Sequence, residues 1–273
     1  MSNIVRLFGM SVLLALCGLA HATTEWSAQD YNLYAGDFNG DGKTDILYIA
    51  KNPNLPSGIA LSDGTGPNIA WQSWPSDFLG INWSGNAYNV IVADFNGDGK
   101  ADILLQSVTP GNSYLLLTNA AGYVVAISQV IPETTMGLMW SADQHRIIAG
   151  AFTGSVNGHP KADLFLQATS SSGTDAIVLS DANGMFTAAS PAQTWADGYL
   201  GFNWSTPKAN VFAGDFNGDG YCDLLIQAIP NFVMINYDVP FPVPTYPPNL
   251  NGVVLRKPHR LYLPRRVCRH GVA

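Results

Sequence analysis

Apolar runs of four to six residues, rich in Val, Ile, Leu and aromatic side chains, recur along this chain between clusters of Asp, Asn, Ser and Gly. One stretch shows the grammar in full: Val90–Ala93, then Ile103–Gln106, then Tyr114–Leu117, then Tyr123–Ile127. The punctuation is turn chemistry, as in Ser62-Asp63-Gly64, Thr118-Asn119-Ala120-Ala121-Gly122 and Ser180-Asp181-Ala182-Asn183-Gly184. Runs of this length with such breaks predict strands joined as hairpins. No stretch after residue 22 sustains an apolar period of 3.6, so no long amphipathic helix is expected.

The pattern repeats four times. Trp-Ser pairs stand at Trp26-Ser27, Trp83-Ser84, Trp140-Ser141 and Trp204-Ser205, and eleven residues after each Trp a loop begins, at Asp37, Asp94, Ala151 and Asp215. The units are 26–82, 83–139, 140–203 and 204–255. Four short strands in roughly 57 residues match a propeller blade. The predicted fold is therefore all-β: a β-propeller-like array of four-stranded blades, three complete and a fourth partial, forming an incomplete propeller. A large ring at a fixed place in every unit is expected in the core between neighbouring blades. Blade faces left without a neighbour would favour self-association or continuation into further blades.

Three of the loops read D-x-N-x-D-G-x-x-D. They are Asp37, Asn39, Asp41, Lys43 and Asp45; Asp94, Asn96, Asp98, Lys100 and Asp102; and Asp215, Asn217, Asp219, Tyr221 and Asp223. Positions 1, 3 and 5 can aim three side-chain oxygens at one point, and the Gly at position 6 allows a sharp turn through positive φ. Position 7 would offer its backbone carbonyl, leaving its side chain free to vary, and the Asp at position 9 would close the shell. An all-oxygen set without sulfur or imidazole selects calcium, in about three structural sites. An EF-hand is excluded, because position 12 is Tyr48, Leu105 or Ile226 rather than Glu and the flanks read as strands. The third loop, Ala151 to Asp163, has lost two carboxylates and gained four residues, so that blade is expected to keep its shape without calcium.

Composition narrows the setting. Residues 1–22 read as a signal peptide: Arg6, an uncharged stretch from Leu7 to Leu19, then Ala20-His21-Ala22. Thirteen residues are too few to span a bilayer, so a secreted or cell-surface protein without a membrane span is expected. The net charge is −7, and all 20 acidic residues precede Leu255. An acidic body argues against a nucleic-acid partner. Residues 256–273 form a basic tail unlike anything before them, predicted to be disordered and read as the end of a truncated or frame-shifted chain. The Pro-rich stretch Pro240 to Pro248 is read as a surface insertion, with Val253–Leu255 as the third strand of the fourth unit.

The run Asp94-Phe95-Asn96-Gly97-Asp98-Gly99-Lys100-Ala101-Asp102-Ile103-Leu104-Leu105 and its relatives resemble the FG-GAP or VCBS repeat, the unit of the integrin-α-type β-propeller. The resemblance covers nearly all of residues 26–255. It implies calcium held structurally by the three loops at blade edges, and a role in adhesion, ligand binding or surface display, as in modules of large bacterial surface or toxin-related proteins. A protein or glycan ligand outside the cytoplasm is expected, a calcium-dependent lectin being the alternative. Catalysis is not expected: no Ser-His-Asp or Cys-His spacing stands out, and Glu25 and Glu133 are the only glutamates.

Overall fold

The computed structural model describes residues 27–64, 69–156, 158–187, 192–229 and 234–237. Strands β1 (Tyr31–Gly36), β2 (Asp45–Ala50), β3 (Ser57–Ser62) and β4 (Ile69–Trp74) form an antiparallel meander. A second meander follows in β5 (Tyr88–Ala93), β6 (Asp102–Ser107), β7 (Ser113–Leu116) and β8 (Gln129–Ile131). A small hairpin, β9 (Thr134–Thr135) with β10 (Leu138–Met139), leads to the third sheet. That sheet runs β11 (His145–Gly150), β14 (Asp163–Ala168), β15 (Thr174–Val178), β16 (Ala192–Ala196), with the two-residue strands β12 (Ser155–Val156) and β13 (His159–Pro160) paired in the loop after β11. The fourth sheet comprises β17 (Ala209–Gly214), β18 (Asp223–Ala228) and β19 (Met234–Tyr237). The fold is all-β, a series of propeller-type blades, and the described helical turns are the short 3₁₀ segments Phe78–Gly80 and Tyr199–Gly201. Among the described residues no helix is long and apolar enough to cross a membrane.

The second strand of each blade explains the unbroken apolar runs. β6 and β14 are buried at every position, because a strand inside a stacked blade is covered on both faces and needs no alternation. Each gap between blades holds its own core. Phe38, Leu47, Ile59 and Trp74 meet Trp83, Ile103, Leu116 and Val124 between the first two sheets. Phe95 and Leu104 meet Trp140, Leu164 and Phe186 in the next gap, and Phe152 and Phe165 meet Trp204, Val211 and Leu224 in the last. The repeated Trp is therefore a core residue. Trp83, Trp140 and Trp204 are buried, and each ring N–H donates to the carbonyl five residues earlier: Phe78 at 2.9 Å, Thr135 at 3.1 Å and Tyr199 at 3.0 Å. The turns that present the rings are alike too, with Leu79, Met136 and Leu200 at φ of 59°, 58° and 55°. Trp26 and residues 1–22 lie outside the described residues.

The array is open. Phe38, Phe95 and Phe152 at loop position 2 are 0%, 0% and 4% exposed, each covered by the following blade, whereas the equivalent Phe216 is 47% exposed. Two strand expectations are corrected. The fourth strand of the second blade is Gln129–Ile131, not Tyr123–Ile127. Val124 instead enters the core below the first blade, and its backbone N–H and C=O are taken by the Gln72 side chain at 2.9 and 2.5 Å. The third strand of the fourth blade is Met234–Tyr237, paired with Leu224–Gln227, so it precedes the Pro-rich stretch rather than following it. Prolines have no N–H to give a ladder, and the segment directly after β18 supplies the partner. Val253–Leu255, Pro240–Pro248 and the basic tail lie outside the described residues.

Candidate functional site

The acidic loops are the hairpin loops between the first and second strands of each sheet, closed by the pairs Gly36–Asp45, Ala93–Asp102, Gly150–Asp163 and Gly214–Asp223. They sit side by side along one rim. The position-1 carbonyl of one loop accepts the N–H of position 8 in the next: Ala101 to Asp37 at 2.7 Å, Ala162 to Asp94 at 2.7 Å and Cys222 to Ala151 at 3.0 Å.

Three loops share one geometry. Asp37, Asp94 and Asp215 accept through Oδ1 from Gly40, Gly97 and Gly218 at 2.7, 2.6 and 2.7 Å. Through Oδ2 they accept from Gly42, Gly99 and Gly220 at 2.8, 2.8 and 2.9 Å. Asn39, Asn96 and Asn217 accept from the N–H of Asp41, Asp98 and Asp219 at 3.0, 2.9 and 2.8 Å. Those aspartates accept in turn from Lys43, Lys100 and Tyr221, each at 2.9 Å. The position-6 glycines have φ of 80°, 85° and 86°, as the turn requires; the position-4 glycines Gly40, Gly97 and Gly218 are also left-handed, at 75°, 73° and 78°.

Position 9 is set apart. Asp45 and Asp102 are fully buried and Asp223 is 3% exposed. Oδ2 of each accepts from position 2 of its loop, Phe38 at 2.9 Å, Phe95 at 3.0 Å and Phe216 at 3.0 Å. Oδ1 of Asp45 and Asp102 accepts from Ser62 at 2.7 Å and Thr118 at 2.9 Å, at the end of the third strand. This aspartate thus ties loop, second strand and third strand together.

Burial pushes the Asp45 carboxyl up, and pushes that of Asp102 to about 7, with the charges of Asp98 and Asp94 adding to the effect against the opposing amides of Thr118 and Phe95. The exposed Asp41 is held below the usual range by the Lys43 ammonium bonded to it, and Asp215 by the N–H groups of Gly220 and Gly218. The loops therefore concentrate negative charge. Lys43 and Lys100 answer it from outside, bonded to Asp41 and Asp98 at 2.7 Å each; at Tyr221 that position carries no cation.

The third loop takes another route. Asp163 keeps the position-9 bonds, accepting from Thr153 and Ser180 at 2.9 Å each. Lys161 occupies the place of Lys43 and Lys100 but turns inward. Its Nζ lies 3.0 Å from Asp163 Oδ1 and 2.9 Å from the Ser180 carbonyl, and also reaches the Ser180 hydroxyl. The Lys161 and Asp163 side chains are 6% and 0% exposed, so this blade carries its own buried ammonium.

Among the described residues no three Asp, Glu, His or Cys side chains converge on a common metal-holding point; the loop carboxylates turn to their own backbone amides. The donor chemistry nonetheless fits calcium. Each set is all oxygen; Oδ2 of Asp37, Asp94 and Asp215, which takes one amide where Oδ1 takes two, retains a second lone pair; and the negative charge in each loop exceeds that of any lysine in it. Sequence reasoning missed Lys161, whose signal was the coincidence of lost carboxylates with a retained Lys at position 7. It also missed the inter-blade glutamines. Of the histidines, His145 is buried between two carbonyl oxygens, Met139 at 2.5 Å and Thr174 at 2.7 Å, a structural position.

Residues 37–105 match the family model described as the FG-GAP-like repeat; over that span the chain is similar to that repeat. No curated protein matches the chain. Among solved structures, it is similar to an Agrocybe aegerita lectin described as specifically recognising non-reducing terminal N-acetylglucosamine. The TM-score is 0.53 and the identity 23%, over 74% of this chain and 48% of that one. The likeness is one of fold, and the chain spans about half the length of that lectin.

Proposed function

We propose that this chain is a secreted, calcium-loaded propeller-type module that binds a ligand outside the cytoplasm, serving adhesion or display. Calcium would be held by the side-chain oxygens of Asp37, Asn39 and Asp41, the Lys43 carbonyl and Asp45, and by the matching sets at Asp94–Asp102 and Asp215–Asp223. The ion would supply no reaction; it would neutralise the loop charge and stiffen the first hairpin of each blade. The observation that carries this reading is the contrast between loops. Where two carboxylates are missing, an internal ammonium from Lys161 meets the remaining Asp163; in the complete sets Lys43 and Lys100 pair with the exposed Asp41 and Asp98 and Tyr221 supplies no cation, which leaves the loop charge to a cation from solution.

A ligand at one hundred times its dissociation constant stabilises the folded state by about 2.7 kcal/mol per site. Three sites would thus be comparable with the roughly 5–15 kcal/mol of a whole domain. Thermal melts in calcium and in chelator are expected to differ widely, and superimposable curves overturn the calcium reading.

The ligand has a second reading, favoured by the fold shared with the N-acetylglucosamine-recognising lectin: a calcium-dependent lectin. A glycan array probed in calcium separates the two. Calcium-dependent signal on glycans with terminal N-acetylglucosamine supports the lectin, and a blank array leaves a protein ligand.

A further inference from the structure

The gaps between blades are tied by contacts that repeat. Position 8 of each loop donates to the position-1 carbonyl of the loop before it, as Ala162 does to Asp94. The residue after each Trp-Ser pair donates to the last carbonyl of the preceding second strand: Gly85 to Ala50, Ala142 to Ser107 and Thr206 to Ala168, all at 2.8 Å. Gln106 Nε2 donates to the carbonyls of Trp140 and His145 at 3.0 and 2.6 Å, and Gln167 Nε2 to those of Trp204 and Ala209 at 2.7 and 2.9 Å. Gln72 and Gln129 add a clasp across two of the gaps, accepting from the backbone N–H of Val124 and Phe186 at 2.9 Å each.

The two ends of the array carry the unmatched halves of these ties. On the fourth blade, the Asp215 and Ala228 carbonyls and Gln227 Nε2 stand where those of Asp94, Ser107 and Gln106 stand on the second. Gln227 Oε1 already accepts from Asn210 at 3.0 Å, and among the described residues no following blade meets the three groups. On the first blade, the Thr44 N–H, the Ala28 N–H and the Tyr31 carbonyl stand where those of Ala162, Ala142 and His145 stand on the third. Among the described residues no preceding blade meets these either.

The apolar surfaces are unmatched in the same way. Leu33 is 46% exposed, although its equivalents Ile147 and Val211 are 8% and 0% exposed. Phe212 and Phe216 are 46% and 47% exposed, whereas their counterparts one blade earlier, Ile148 and Phe152, pack with Val211. A Cβ on Gly36 would lie 2.8 Å from Ala101 Cβ, and one on Gly150 2.6 Å from Cys222 Sγ, both in the next blade; on Gly214 the three nearest atoms belong to Phe216 of its own loop. Position 7 also reaches back. Lys100 lies over Gly40, 3.1 Å from a Cβ placed there, and Tyr221 lies over Gly154 at 2.8 Å, but nothing lies within 4 Å of Gly218.

We propose that the open face of the fourth blade receives the first blade of a second copy of this chain, and that two copies close head to tail into one ring. The Thr44 N–H of one copy donates to the Asp215 carbonyl of the other, the Ala28 N–H donates to the Ala228 carbonyl, and Gln227 Nε2 donates to the Tyr31 carbonyl. Leu33 covers Phe212 and Phe216. Lys43 lies over Gly218 and brings the fourth loop the cation that Tyr221 does not supply. Only a blade of this repeat presents those groups in register, and the chain's own first blade is one that has them vacant. Two copies of four blades give a ring within the range of roughly four to eight blades known for propellers. A head-to-tail contact that closes leaves no face uncovered.

Light scattering on the size-fractionated full chain in calcium tests this. The wild type is expected at twice the monomer mass. Leu33→Lys and Phe216→Asp each place a charge in both contacts of the ring. Each is expected to raise the dissociation constant about a hundredfold or more and to leave a monomer. Both positions are exposed in the single chain, so the circular dichroism of the wild type is expected in each variant. An equimolar mixture of the two variants is expected to regain the doubled mass, because one contact then joins two unaltered faces and the other sets the new ammonium against the new carboxylate. A wild type that stays monomeric at every concentration overturns the proposal, whether or not the variants fold. A Leu33→Lys protein that remains dimeric also overturns it, assigning the contact to two identical faces, and so does a mixture of folded variants that stays monomeric.

Discussion

Asp175 is a carboxylate in a place where the other blades use a hydroxyl. In the first two blades the first residue of the third strand is Ser57 or Ser113, whose Oγ accepts from Ala50 or Ser107, each at 3.0 Å. In the third blade Asp175 accepts from Ala168 through Oδ1 at 2.9 Å, and its Oδ2 is buried with no partner among the described residues. Burial pushes the Asp175 carboxyl up to about 7, the Ala168 amide opposing and the charge of Asp197 adding. The folded state therefore holds a proton that the unfolded chain, with a carboxyl near 3.9, releases. A carboxyl raised on folding contributes stability that is complete below about pH 4 and is lost as pH rises through about 7.

Between pH 5 and pH 8 the loss comes to roughly 2–3 kcal/mol, an upper value because it treats the site as isolated. Asp175→Ser keeps the bond to Ala168 and removes the titration. The smaller side chain subtracts a pH-independent amount on the order of 1 kcal/mol, so the slope, not the level, is the signal. Thermal melts of both proteins from pH 5 to pH 8 in saturating calcium should show the variant gaining on the wild type by about 5–10 °C. The acidic loops titrate alike in both and cancel in the difference. A difference that stays flat across this range would refute the reasoning.

Two further outcomes follow from the loops. Asp41→Ala, Asp98→Ala and Asp219→Ala are each expected to lower calcium stoichiometry by about one ion, measured by equilibrium titration, whereas Ser155→Ala in the third loop leaves it unchanged; a loss there as well would mean that the third loop also binds calcium. Lys161→Met leaves Asp163 as a buried charge without its ammonium and should cost about 3 kcal/mol in denaturant unfolding, while Lys100→Met, which breaks an ion pair at the loop surface, should cost less than about 1 kcal/mol. Equal costs would show that Lys161 does not act as the loop's internal cation.

What was legible in the chain, and what was not, follows from whether an interaction lies within a repeat or across two. The Trp residues recur at fixed distances in every unit and the acidic loops in three of the four, so the burial of Trp83, Trp140 and Trp204 and the turn geometry of the loops could be read by laying unit on unit. The second strands were legible for the same reason: a stacked blade covers both faces of β6 and β14, and their central residues Ile103–Leu105 and Leu164–Leu166 are apolar without alternation. The glutamine clasps span 52 and 57 residues, from Gln72 to Val124 and from Gln129 to Phe186. A polar residue near the end of a short strand carries no periodic signal of its own. The misplacement of the second blade's fourth strand has this origin: Tyr123–Ile127 has the apolar content of a strand because Val124 is buried, but its hydrogen bonds go to a side chain of the blade before. Lys161 poses the complementary difficulty. Lys43, Lys100 and Lys161 share a residue type and a loop position, and only the carboxylates around them decide which way the ammonium turns. Opposite Asp41 or Asp98 it is drawn outward to an exposed partner. With those gone, Asp163 remains as the nearest anion, and burial of the pair becomes the arrangement that leaves neither charge alone.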